Sequence, residues 1–270
     1  MSNTTATPAS RRLLTTCAWL VYLFLYIPIV ILVVFSFNSA KSASVWEGFS
    51  LRWYRELWKD DIIQKSVRVS LTVSLLSTCV ATVIGTLAAL AMAQVKWLGR
   101  TATSIVLMLP VIIPEIVIGA ALLSFFTVTS WQLNFWTVVI AHVGFSISYV
   151  AIVVRARLAG FDHSLEEAAL DLGAGRFGMF WRVKLPLMMP GVLAGALLAF
   201  TISVDDYVIT SFVAGSESTT LPLVIASMLK TKEKLPVVNA AATVLLGFTI
   251  ILIVVAQWLM KERVGEDTKK

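Results

Sequence analysis

Three carboxylates, Glu115, Asp205 and Asp206, fall inside stretches of sequence that are otherwise apolar enough to lie in a lipid bilayer. A charged group in such a place is costly unless it faces a cavity or a partner, which makes each acid a candidate for a transport path. None of the three has a basic residue within its own stretch, so together they leave an unbalanced negative lining that a cationic substrate would neutralise. Two other placements stay open: Glu115 at a helix end in the interface, and Asp205 or Asp206 paired with an Arg or Lys of a partner subunit. Neighbouring side chains on a helix point about 100° apart, so Asp205 and Asp206 cannot face one site equally, which leaves one of them for a structural role. Tyr207, with Trp131 and Trp136, could offer aromatic faces to ammonium groups, although aromatics are common in membrane helices. His142 reads as a packed helix-contact residue.

The elements that carry these residues follow from composition. Of 270 residues, 58% are hydrophobic and 14% charged, with a mean hydropathy of +0.85. That is too apolar for a water-soluble domain, and the solvent must be largely membrane lipid. Runs long enough to cross a hydrocarbon core lie at about 13–37, 67–95, 102–127, 132–154, 188–213 and 237–260. They predict an all-α, polytopic bundle of six transmembrane helices over 13–260, with tails at 1–12 and 261–270. Basic Arg11 and Arg12 precede the first run as in a signal peptide, but the run is long enough to span the membrane and is read as an uncleaved first helix.

Six crossings put both termini on one side. Placing them in the cytoplasm sets Lys96, Arg100, Arg155, Arg157, Lys269 and Lys270 inside, in keeping with the positive-inside rule. The net charge of +6 therefore belongs to segment flanks and not to one basic face, which argues against nucleic acid as a partner. Pro110 and Pro114 interrupt the third stretch and predict a broken or kinked helix. Between the first two stretches, Trp46, Trp53, Tyr54 and Trp58 stand among charged residues as an amphipathic, belt-like segment at the interface. Cys17 and Cys79 both sit in apolar runs and imply neither a disulfide nor a metal site.

One long loop, residues 155–187, is polar where the rest is not. Ser164 to Glu167 is an S-x-x-E capping box, after which Leu165, Ala168, Ala169 and Leu172 make a small apolar face that ends at Gly173 and Gly175. A second short helix over Arg176–Lys184 would display Phe177, Phe180 and Trp181 before Pro186 stops it. Such a surface could lie on lipid as an interfacial elbow or fill the groove of another protein.

The residues of this loop, Glu167-Ala168-Ala169, then Gly173, then Val183-Lys184-Leu185-Pro186, resemble the EAA motif of permeases of ATP-binding-cassette importers, E-A-A, three residues, G, nine residues, I-x-L-P. The spacings agree, and Val183 replaces the usual Ile. The whole chain looks like the spermidine/putrescine permease group of that family, on Leu25 to Lys41, Trp53-Tyr54-Arg55-Glu56-Leu57, Leu109 to Gly119 and Phe200 to Phe212. The resemblance implies a type I importer bundle in the bacterial inner membrane that translocates polyamines. It implies that Glu167, Ala168, Ala169, Gly173, Val183, Leu185 and Pro186 form coupling helices seated in a groove of a cytosolic ATPase, with Glu167 near a basic group of that ATPase and Gly173 allowing the turn. It places Glu115, Asp205, Asp206 and Tyr207 where substrate passes.

Expected partners are a second permease subunit, two ATP-binding-cassette ATPase subunits, an external substrate-binding protein, polyamine and lipid. No G-x-x-x-x-G-K-[ST] loop occurs, so ATP and Mg are expected to be used by the separate ATPase, with no cofactor in this chain. Permeases of this family for a metal cation, thiamine or another solute share the loop, so the cargo has alternatives. An enzyme built on Glu115, His142 and Asp205 or Asp206 finds no supporting spacing, H-E-x-x-H included.

Overall fold

The computed structural model describes residues 8–41, 45–94, 99–162, 164–230 and 235–266. Lys96, Lys269 and Lys270, offered above as membrane-orienting charges, lie outside these residues. Among the described residues the secondary structure is helical, apart from one isolated bridge pairing Asn38 with Phe49. Five helices are long and apolar enough to cross a membrane, and a bent pair makes a sixth when it is counted as one span.

The chain divides into two compact units. One comprises residues 1–60 and 227–246. It contains helix α1 (Pro8–Ser36) and the short α2 (Arg52–Lys59). The stretch between them is organised by Asn38, whose carbonyl oxygen of the side chain accepts from the Glu47 and Ala40 amides at 3.0 and 3.3 Å. Its Nδ2 donates to the Val45 carbonyl at 2.6 Å. Trp53, expected in an aromatic belt, is instead buried, with Nε1 donating to the Asn38 carbonyl at 2.7 Å. The indole has found both an apolar bed and a hydrogen-bond acceptor inside the protein, which removes its reason to sit in headgroups.

The other unit, residues 61–226 and 247–270, holds α3 (Asp61–Gln94), α4 (Arg100–Ile112), α5 (Glu115–Val128), α6 (Phe135–Ala159), α7 (Ser164–Asp171), α8 (Arg176–Met179), a π-helical turn (Phe180–Lys184), α9 (Leu185–Asp205) and α10 (Val208–Val213). Helices α11 (Leu221–Leu229) and α12 (Leu235–Glu266) run across the two units. At the centre of this unit α3, α6 and α9 approach closely around Val150. A Cβ added at Gly85 of α3 would lie 2.8 Å from the Val150 Cβ, and one at Gly195 of α9 would lie 3.3 Å from its Cα. Small residues let helix backbones approach in this way where lipid supplies no hydrophobic drive between helices.

Three segments depart from the runs read in the sequence. The third stretch bends by 108° at the break between α4 and α5. The break falls at Ile113–Pro114, while Pro110 stays inside α4. The stretch 188–213 is not one helix, because α9 ends at Asp205 and α10 starts anew at Val208. Pro186 does not stop a separate short helix. It occupies the first turn of α9, directly after the π-helical turn, and the chain stays helical from Arg176 to Asp205.

Candidate functional site

The break after Asp205 separates the two adjacent acids. Asp206 turns inward and is 8% exposed. Its carboxylate accepts the Ile209 and Thr210 amides at 3.3 and 2.8 Å and the Thr210 hydroxyl at 2.6 Å, so it satisfies the free N–H groups at the start of α10. His142, fully buried on α6, places Nε2 2.9 Å from Thr210 Oγ1 and 3.4 Å from Asp206 Oδ2. Thr210 gives its one hydroxyl proton to Asp206, so its oxygen must receive the Nε2–H, which fixes that ring nitrogen as a donor. Nδ1 meets Ser203 Oγ at 2.7 Å, and Ser203 lies 3.1 Å from Ser74 Oγ and 3.2 Å from Ser77 Oγ of α3. The result is a buried polar seam that ties α3, α6, α9 and α10 together with every member bonded.

Asp206, expected to line a passage, thus has both carboxylate oxygens engaged by α10. Asp205 and Tyr207, on either side of it, are exposed. Glu115 is exposed as the first residue of α5, where the helix N-terminus favours a carboxylate. Four residues on, a Cβ at Gly119 would lie 2.5 Å from the ring of Phe212, so α5 packs tightly on α10. Among the described residues neither Glu115 nor Asp205 forms an ion pair. Trp131 and Trp136 are exposed as well. Of the residues proposed for an enzyme, only His142 and Asp206 come together, and both are committed to the seam.

The polar loop builds a second site. Helix α7 starts with Ser164 already inside it, and the acceptor lies further upstream than the S-x-x-E reading expects: Asp162 Oδ1 takes the Ser164 amide at 2.9 Å. The helix ends in a Schellman turn, with the Ala174 amide on the Ala169 carbonyl at 3.1 Å and the Gly173 amide on the Leu170 carbonyl at 2.9 Å. Gly173 has φ +86°, and nothing lies within 4 Å of where its Cβ would be, so its need for glycine is conformational and not steric.

Glu167 and Ala168 face solvent, and Ala169 is half-buried. Leu172 is 89% and Phe177 77% exposed, and the exposed Trp181 ring lies tilted against Phe177 with the centroids 5.9 Å apart. Exposed apolar area of this kind on a polar loop marks a surface that something covers. Val183 and Leu185 are half-buried and Pro186 is exposed. Lys184, the variable position of the V-K-L-P segment, is buried, and its Nζ donates to Glu166 Oε1 at 2.7 Å. Sequence reading missed this pair, since nothing in the spacing tells which of two adjacent glutamates turns inward.

Comparison with known proteins supplies the context for both sites. The family described as "Binding-protein-dependent transport system inner membrane component" matches residues 81–262. The spermidine/putrescine transport system permease protein PotC of Escherichia coli (strain K12) is 39% identical over 248 residues, covering 92% of this chain and 94% of the relative. The putrescine transport system permease protein PotI of the same strain is 39% identical over 247 residues, covering 88% and 87%. In fold, the chain is similar to a bacterial ABC transporter involved in the import of the acidic polysaccharide alginate, with TM-score 0.74, 18% identity and coverage of 93% and 94%.

Proposed function

The chain belongs to the family of inner-membrane components of binding-protein-dependent transport systems, and we propose that the solute its importer carries is a polyamine, putrescine or spermidine. The observation that carries the cargo is the similarity at 39% identity over nearly the whole chain to permeases named for those two amines. Chemistry supports it. Glu115 and Asp205 are exposed acids without an ion-pair partner among the described residues, at helix ends that pack against each other's neighbours, and a polyamine carries the positive charges they lack. Tyr207, 43% exposed beside Asp205, offers a ring face to an ammonium group.

In this reading a second permease subunit completes the passage, an external binding protein delivers the amine, and two ATPase subunits use ATP and Mg on the cytoplasmic side, where both termini lie. The EAA loop seats on an ATPase: Glu167 meets a basic group there, while Leu172, Phe177 and Trp181 fill its groove. Closure of the ATPases then moves α7 and, through it, the membrane helices, so that the site opens alternately to either side.

The test is ATP-dependent uptake of radiolabelled putrescine and spermidine into cells lacking their own polyamine importers, with this chain and its companion subunits expressed together. Saturable uptake that disappears on Glu167→Arg is the expected result. An assembled complex that takes up neither amine would refute the cargo.

A further inference from the structure

Lys184 is 2% exposed, an extreme burial for a lysine, and it sits in the loop proposed to dock the ATPase. Its Nζ donates to Glu166 Oε1 at 2.7 Å and stands over the Phe161 ring, 5.6 Å from the centroid. Glu166 and Lys184 belong to different elements: Glu166 to α7, Lys184 to the last position of the π-helical turn, directly before α9. A π turn carries one extra residue, which rotates everything after it by about 100° relative to a plain α-helix. In this chain the π turn ends on Lys184, whose Nζ reaches Glu166 of α7. Phe161, in the stretch leading from α6 into α7, closes the ammonium from a third direction.

We infer that the Lys184–Glu166 ion pair is a strut that makes α7 and α9 one rigid lever, so that movement imposed on α7 is passed to the membrane-spanning helix and not absorbed in the loop. The assignment rests on the reading of α7 as the ATPase-docking helix. Otherwise α7 has weak ties to the bundle. Its apolar residues Leu165 and Leu170 are exposed, and the chain leaves its C-terminus through Gly173. A charged pair shielded from water is stiff because separating it leaves a buried charge unpaired. The division of labour between neighbours is clear: Glu167 faces out to the partner, and Glu166 faces in to transmit what the partner does. Lys184 and Glu166 are positioning residues in this account and touch no substrate.

The experiment uses the complete importer reconstituted in lipid vesicles, with two readouts. One is amine transported per ATP hydrolysed. The other is the distance distribution between spin labels at Asp171 and Leu198, both exposed, on α7 and α9. Lys184→Met and Glu166→Gln each should leave ATP hydrolysis running, lower transport per ATP about tenfold and broaden the distance distribution. The exchanged pair, Lys184→Glu with Glu166→Lys, should recover both. A distribution that stays narrow in Lys184→Met, or transport per ATP that stays at the parent level, would overturn the strut. So would parallel loss of assembly, hydrolysis and transport that the exchanged pair does not restore. If the unaltered complex carries no polyamine, the cargo reading fails, and the distance measurement alone decides the strut.

Discussion

Two pairs of adjacent carboxylates, Glu166–Glu167 in the loop and Asp205–Asp206 at the end of α9, were cast by the fold in the same way. In each, one acid turns inward and is consumed by structure, and its neighbour faces out with its charge available. The inward acids differ in what holds them. Glu166 meets a buried ammonium, a single charge–charge contact between two elements. Asp206 meets two backbone amides, a hydroxyl and an imidazole, a network that both caps α10 and ties it to α6. The first is a link that can be strained, the second an anchor. In the proposed reading, force enters at the link and the anchor stays fixed.

The largest effect expected from breaking that comparison is at the anchor. Asp206→Ala strips the α10 amides of their cap and leaves the Thr210 hydroxyl without its acceptor, costing about 3 kcal/mol, to be read as a lower unfolding temperature in detergent. Asp206→Asn keeps an oxygen for the α10 amides and should cost about 1 kcal/mol. A loss for Asp206→Ala no larger than that of an ordinary surface substitution would contradict the anchor.

A smaller effect, confined to the loop, is expected from Gly173→Ala. Forcing alanine to φ +86° costs about 1 kcal/mol, and hydrogen exchange should quicken at the Gly173 and Ala174 amides while the Asp206 seam is unchanged. Equal quickening at Thr210 would show that the two regions are not separable.

The smallest effect is at Lys65 and Glu217, an exposed ion pair between α3 and the segment after α10. The hydrogen bond from Lys65, reinforced by its charge, holds the Glu217 carboxyl below the usual glutamate range. A depressed carboxylate contributes above its unfolded value and stops contributing as pH falls through the folded one. Glu217→Gln should therefore shift the unfolding temperature slightly at neutral pH and not at all once the parent's Glu217 is protonated, as paired melts across that range would show.

Much of this architecture could be read from residue order. Apolar length announced the membrane helices, because a bilayer leaves few alternatives to a long hydrogen-bonded helix. Pro114 announced the bend, and the spacing from Glu167 to Pro186 announced the loop. What could not be read depended on tertiary partners. Pro186 looked like a stop because the π turn ahead of it has no signature in local composition. The break at Asp206 was hidden since α9 and α10 are both apolar, and the cue, a carboxylate able to cap, is the same residue that suggested a passage. The inward turn of Trp53 depended on Asn38, fifteen residues away, and α11 was too short to stand out as a crossing.

The most direct test of the whole account is Asp205→Asn in the assembled importer, with polyamine uptake and unfolding temperature measured on the same preparation. Asp205 is exposed and without an ion pair among the described residues, so its loss should change stability by less than about 0.5 kcal/mol. Losing one charge contact to a passing ammonium should slow uptake about tenfold. That combination, slow transport by a fully stable protein, is the predicted result. Uptake at the parent rate from a stable complex would contradict the claim that the outward acid of this pair meets the substrate.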